Sequence, residues 1–168
     1  MNKVHILYLA NIFQADMRWI DQIHISDYFL YNFHFAIIKK LLGWQFQVTF
    51  KPHPESFYQP NLSFESSSFN QINDKKIEEI FKNYDLFIFD KIKTSSLGFA
   101  EKKKLPRIVI PLGENKWICN NKKKKFYLNN NVIDYSLSID GKVSINWNEL
   151  KHKIINLLEL SNERNTSK

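Results

Sequence analysis

Apolar residues fall along this chain in short blocks with different spacings, and the spacings predict a succession of elements. Val4 to Leu9 (VHILYL) is an apolar run of strand length. Ser26 and Asp27 stand where a helix cap is needed, ahead of Tyr28 to Leu42, whose apolar residues cover most of a helix circumference and stop before Gly43. Such a helix packs on two sides. Gln45 to Phe50 (QFQVTF) reads as a second strand, stopped by Pro52 and Pro54 on either side of His53. A polar connection rich in Ser and Asn runs from Glu55 to Asn73. From Asp74 to Asn83, Ile77, Ile80 and Phe81 recur at helical spacing opposite lysines and glutamates. Asp85 to Phe89 (DLFIF) is almost wholly apolar, as a strand at the centre of a sheet covered on both faces should be.

Thr94, Ser95 and Ser96 are natural caps for a short helix through about Lys103, and Pro106 precedes a further apolar strand, Ile108 to Ile110. Strand and helix therefore alternate from Val4 onward. That order predicts an α/β, Rossmann-like three-layer domain with a mainly parallel sheet. Beyond Gly113 the pattern weakens. Glu114 to Asn131 is rich in lysine and asparagine, Val132 to Ser138 fits a strand, and Trp147 to Leu160 has the period of a closing helix. One domain over residues 1–160 with a flexible tail over 161–168 is the expected organisation.

Composition agrees with one compact unit. The chain has 168 residues, 43% of them hydrophobic and 15% aromatic, enough to build a core of ordinary size. Cys119 is the only cysteine, so neither an intrachain disulfide nor a cysteine-based zinc cluster can form, and a cytoplasmic, reducing setting is expected. No apolar stretch is long enough to span a bilayer, which predicts a soluble or peripheral protein. A net charge of +7 favours anionic partners without choosing among phosphates, acidic lipid at the inner face of a membrane, and nucleic acid.

Ligands of open α/β sheets bind beyond the carboxyl ends of the strands, and two polar motifs fall there. In Lys51-Pro52-His53-Pro54 the prolines restrict the backbone and hold a lysine and an imidazole at the sheet edge. His53 is either a phosphate ligand or a turn residue between prolines. In Thr94-Ser95-Ser96, hydroxyls and helix-terminal N–H groups converge on one spot, a ready anion site, although ordinary capping needs only one of the three hydroxyls. If the strands preceding these motifs are neighbours, the two share one rim. Asp90, at the end of the third strand, is placed to orient His53 or the following turn, whereas Asp85 lies at the opposite end of that strand.

Taken together, Lys51-Pro52-His53-Pro54, a strand ending in Asp90, Thr94-Ser95-Ser96 and Leu105-Pro106 before a strand resemble the C-terminal domain of bacterial surface-polysaccharide glycosyltransferases of the two-domain GT-B type. These are the capsule and lipopolysaccharide sialyl- and Kdo-transferases with HP and SS motifs, and the related polyglycerol-phosphate polymerases. The resemblance covers about Val4 to Leu112. It implies a nucleotide-sugar-binding domain in which Lys51, His53, Thr94, Ser95 and Ser96 hold the phosphate of a cytidine-activated sugar or alcohol. The sequence departs from the pattern at Phe99, where such enzymes carry a ribose-binding carboxylate, and 168 residues leave no room for the acceptor domain. The shortfall implies a fragment of a longer enzyme, one subunit of a split enzyme whose partner supplies that domain, or a stand-alone module that binds without catalysing.

Other features argue for less. Lys122 to Lys125 beside Phe126 and Tyr127 suit either a solvated loop or an anionic surface, and no nucleic-acid-binding motif flanks them. His5, His24, His34 and His152 lack ligand spacing, so no metal site is expected and they read as structural or surface residues. Gly43, Gly98, Gly113 and Gly141 form neither a dinucleotide fingerprint nor a P-loop, so no NAD or ATP cofactor of the usual kind is expected.

Overall fold

The computed structural model describes residues 3–10, 26–54, 56, 62–92, 94–112, 126, 130–140 and 142–166. Among these, five strands form one parallel sheet in the order β3-β2-β1-β4-β5. They are β1 (His5–Leu9), β2 (Gln47–Lys51), β3 (Phe69–Gln71), β4 (Leu86–Phe89) and β5 (Arg107–Val109). Helix α1 (Asp27–Gly43) joins β1 to β2, α2 (Ile77–Ile80) with a 3₁₀ turn over Phe81–Asn83 leads into β4, and α3 (Ser95–Lys102) joins β4 to β5. The expected α/β, Rossmann-like architecture is the one observed.

Side-chain alternation along the strands sorts the core into two layers. Ile6 and Tyr8 of β1, Val48 and Phe50 of β2, and Leu86 and Ile88 of β4 pack with Leu30, Phe33, Ile37 and Leu41 of α1. Leu7, Leu9, Phe87 and Phe89 pack on the other face with Ile77 and Ile80 of α2 and with Leu97 and Ala100 of α3. The four residues of β4 are all buried, which explains why this segment carries no polar alternation.

The connection expected to be irregular between Glu55 and Asn73 contains β3, parallel to β2 at the sheet edge. Its residues Phe-Asn-Gln hold one apolar side chain, so an edge strand of this length leaves no period to read. The segment expected as one strand from Val132 to Ser138 is divided. Val132 makes a parallel bridge to Val109 beside β5, while β6 (Tyr135–Leu137) turns back on β7 (Val143–Ile145) as a separate antiparallel pair. The closing helix α4 (Trp147–Thr166) buries Leu150 and Ile154 against the α1 face of the core, and it continues through Ser161 to Thr166. Helix α1 includes Gly43 rather than stopping before it, and the left-handed residue that turns the chain into β2 is Gln45, with φ of 68°.

Arg107 and Asn130 tie the sheet to the segment that follows it. Arg107 Nε donates to Asn130 Oδ1 at 2.6 Å, and Asn130 Nδ2 donates to Glu101 Oε1 of α3 at 2.8 Å. No helix among the described residues is long and apolar enough to cross a membrane.

Candidate anion site at the carboxyl edge of the sheet

The chain leaves β1 toward β2 on one side and returns from β3 to β4 on the other, so connections diverge between β1 and β4. A crevice opens at the carboxyl ends of strands at such a switch point. Here it holds a cavity of about 300 Å³, at the small end of ligand pockets. Its floor is Leu9 of β1 and Ala10 just beyond it, with Phe89 of β4. One wall is Lys51, Pro52, His53 and Pro54 from the end of β2, and the facing wall is Lys91 with Thr94, Ser95 and Ser96.

The strands carrying these two walls are not neighbours. β1 lies between β2 and β4 and pairs with both, Leu9 standing opposite Lys51 and Phe89. The motifs therefore face each other across the width of one intervening strand, which separates them enough to admit a ligand. Pairing persists just past the strand ends, where Ala10 N donates to Lys51 O at 2.9 Å and Ile110 N donates to Phe89 O at 2.7 Å, so the floor of the crevice is built on paired backbone.

On the α3 wall the three hydroxyls divide their tasks. Thr94 Oγ1 accepts from Leu97 N at 3.0 Å and caps the helix. Ser95 is exposed and Ser96 half-buried, and both line the cavity at the first turn, where backbone N–H groups have no acceptor within the helix. Positive charge comes from two lysines. Lys91, half-buried, follows Asp90 directly and was not singled out by the sequence pattern. Lys51 is buried, and its Nζ donates to Asn73 O at 3.3 Å. Burial pushes the Lys51 ammonium below the usual lysine range, and the nearby carboxylates of Asp74 and Glu79 pull it partly back. No carboxylate stands among the described residues lining the cavity.

Asp90 lies beneath this floor, fully buried, with its carboxylate directed to the α1 side. Tyr8 OH donates to Oδ2 at 3.1 Å, and His34 Nε2 lies 2.5 Å from the same oxygen. The hydrogen bonds of Asp90 thus go to Tyr8 and His34 rather than to His53. His34 sits on the core-facing side of α1, a position that the spacing of histidines along the chain does not reveal. Asp85, at the far end of β4, accepts from His5 N at 2.8 Å and stands clear of the cavity.

Phe99 is partly buried in the core layer under α3, its ring 5.3 Å from that of Phe81 at an angle of 72°. It belongs to the packing of the helix and not to the cavity. The lysine run Lys122 to Lys125, His24 and Cys119 lie outside the described residues. Among the described residues no group of three or more His, Cys, Asp or Glu side chains is placed to hold a metal ion.

No protein-family model matches this chain, and no curated protein matches it. Among solved structures it is similar to the DNA/pantothenate metabolism flavoprotein from Streptococcus pneumoniae, with 11% identity and a TM-score of 0.42 over 95% of this chain and 98% of that one. The expected likeness to surface-polysaccharide glycosyltransferases, and with it the role of a nucleotide-sugar-binding half, is corrected: no glycosyltransferase family model matches the chain, and the similar solved structure named above is a flavoprotein. The physical reason is that Pro-His-Pro restrains a strand end and Ser-Ser opens a helix wherever the chain needs either, so segments this short do not distinguish one family from another.

Proposed function

We propose that this chain is a binding domain for a small phosphate-bearing molecule held at the carboxyl edge of the sheet between β1 and β4. One observation carries the reading: two walls contributed by separate connections, Lys51 to Pro54 on one side and Lys91, Thr94, Ser95 and Ser96 on the other, converge on one cavity whose described polar side chains are lysines, a histidine and hydroxyls, with no carboxylate among them. A phosphate at this place accepts from the Ser95 and Ser96 hydroxyls and from the first-turn N–H groups of α3, favoured by the positive end of the helix. His53 and the lysines add opposite charge or donors from the flanks. The apolar floor of Leu9, Ala10 and Phe89 suits the body of a ligand of sugar-phosphate or mononucleotide size.

Calorimetric titration of the full chain with inorganic phosphate, ribose 5-phosphate, nucleoside mono- and diphosphates and flavin mononucleotide tests this reading. Binding of at least one phosphate-bearing compound is expected, weakened about tenfold in Ser95→Ala and in His53→Ala, since each removes a donor to a charged group. Absence of heat with every compound, or binding unchanged in both variants, overturns it.

A further inference from the structure

The two lysines of the cavity differ in environment. Lys91 is half-buried at the rim, where water and salt screen its charge and any anion profits from it to a similar degree. Lys51 is 8% exposed, its ammonium has three hydrogens to donate, and its hydrogen bond among the described residues is a long one of 3.3 Å to the neutral carbonyl of Asn73. No carboxylate oxygen of the described residues forms an ion pair with it. A cation that has given up its water without gaining a direct counter-ion is costly, and it stands to gain more than an exposed one from an anion brought against it. A charge-assisted bond to a phosphate oxygen, at about 2.7 to 2.9 Å, is stronger than the present contact to a carbonyl.

On these grounds we infer that Lys51 makes the site selective for a terminal phosphomonoester: Lys91, Ser95 and Ser96 meet the first charge of the phosphate, and Lys51 meets the second. A monoester carries close to two negative charges above its second pKa of about 6, whereas a diester carries one. The inference rests on the phosphate-binding reading and names the ligand class within it. Lys51 leaves the Asn73 carbonyl when the dianion enters, and a phosphodiester with the same body provides too little charge to draw it across.

The experiment compares ribose 5-phosphate with its methyl phosphodiester by calorimetry on the full chain at about pH 8, well above that second pKa. Wild-type protein is expected to favour the monoester by about tenfold or more, the value of a charged hydrogen bond. Lys51→Gln and Lys51→Met should each lower affinity for the monoester by about that factor and leave the diester within about twofold, which abolishes the preference. Lys91→Gln should weaken both ligands alike and preserve the preference. Thermal unfolding of each variant identifies loss of the fold, and Lys51→Met keeps the apolar stem of the side chain in place. Equal wild-type affinity for the two ligands, or a preference that survives in a folded Lys51 variant, overturns this inference while leaving phosphate binding intact. Failure of wild-type protein to bind either ribose compound, inorganic phosphate or any other phosphate overturns both.

Discussion

Asp85 and Asp90 bracket the same strand, and the structure uses them in opposite ways. Asp85 is exposed at the amino edge of the sheet, where its carboxylate accepts from His5 N and secures the start of β1. Asp90 is fully buried at the carboxyl edge, where it gathers Tyr8 from β1 and His34 from α1 onto one oxygen. Water can replace what Asp85 does. Nothing apolar around Asp90 can take over its part, so the polar network there is costly to disturb. The edge of the sheet that carries the crevice is thus also the edge with a polar anchor beneath it, and the contrast shows how one strand can be closed cheaply at one end and firmly at the other.

The sharpest way to break this contrast is to delete each carboxylate in turn. Asp90→Ala leaves Tyr8 and His34 buried without the acceptor they share and should destabilise the fold by about 3 to 5 kcal/mol. Urea unfolding measures the change, and an unaltered dependence on denaturant shows that the same two states are compared. A loss under about 1 kcal/mol would mean that the network contributes little and that the two ends of β4 are alike.

Tyr8→Phe tests the network more gently, because it removes one donor and leaves the ring in the core. Loss of the 3.1 Å bond to Asp90 should cost about 1 to 1.5 kcal/mol near neutral pH. The pH dependence carries its own signature. Burial, then the charge of Asp90 and the hydrogen bond to it, hold the Tyr8 hydroxyl well above the usual tyrosine range. The folded state therefore keeps this proton more firmly than the unfolded chain does. The resulting stability is complete below about pH 10, the ordinary tyrosine value, and is lost as pH rises past it, by up to about 1.4 kcal/mol per pH unit. The stability gap between wild type and Tyr8→Phe should accordingly narrow above about pH 10. A gap that stays constant or widens with alkali would contradict the assignment.

Much of the frame that supports this contrast was legible in the sequence. β1, β2, β4 and β5 and their intervening helices follow from apolar runs, helical spacing and punctuation by Pro, Gly and Ser, because burial on both faces leaves a continuous signal in a strand such as Leu86–Phe89. β3 and β7 were not, since three residues at an edge or in a hairpin carry too little period. At the crevice, Lys51, His53, Ser95 and Ser96 stood out because proline restraint and helix capping are local features. Lys91 did not, because nothing in its neighbours distinguishes a lysine at a strand end from a solvated one until the strand order is known. The partners of Asp90 were equally hidden. Tyr8 and His34 are 82 and 56 residues away from it, and only the packing of α1 over β1 and β4 brings the three together. The family resemblance failed for a related reason: short motifs report the local need of a strand end, and the chemistry depends on what the rest of the fold sets against them.

The smallest effect belongs to Asp85→Ala. His5 N loses its acceptor at 2.8 Å, but the site is exposed and water can take the place of the carboxylate. The backbone bond from Asp85 N to His5 O at 2.9 Å does not involve the side chain, so the registration of β1 beside β4 survives the substitution. A loss of about 0.5 kcal/mol is expected by urea unfolding, with phosphate affinity unchanged because Asp85 lies at the opposite edge of the sheet from the crevice. A loss comparable with that of Asp90→Ala would show that the start of the strand, and not its buried end, anchors β4.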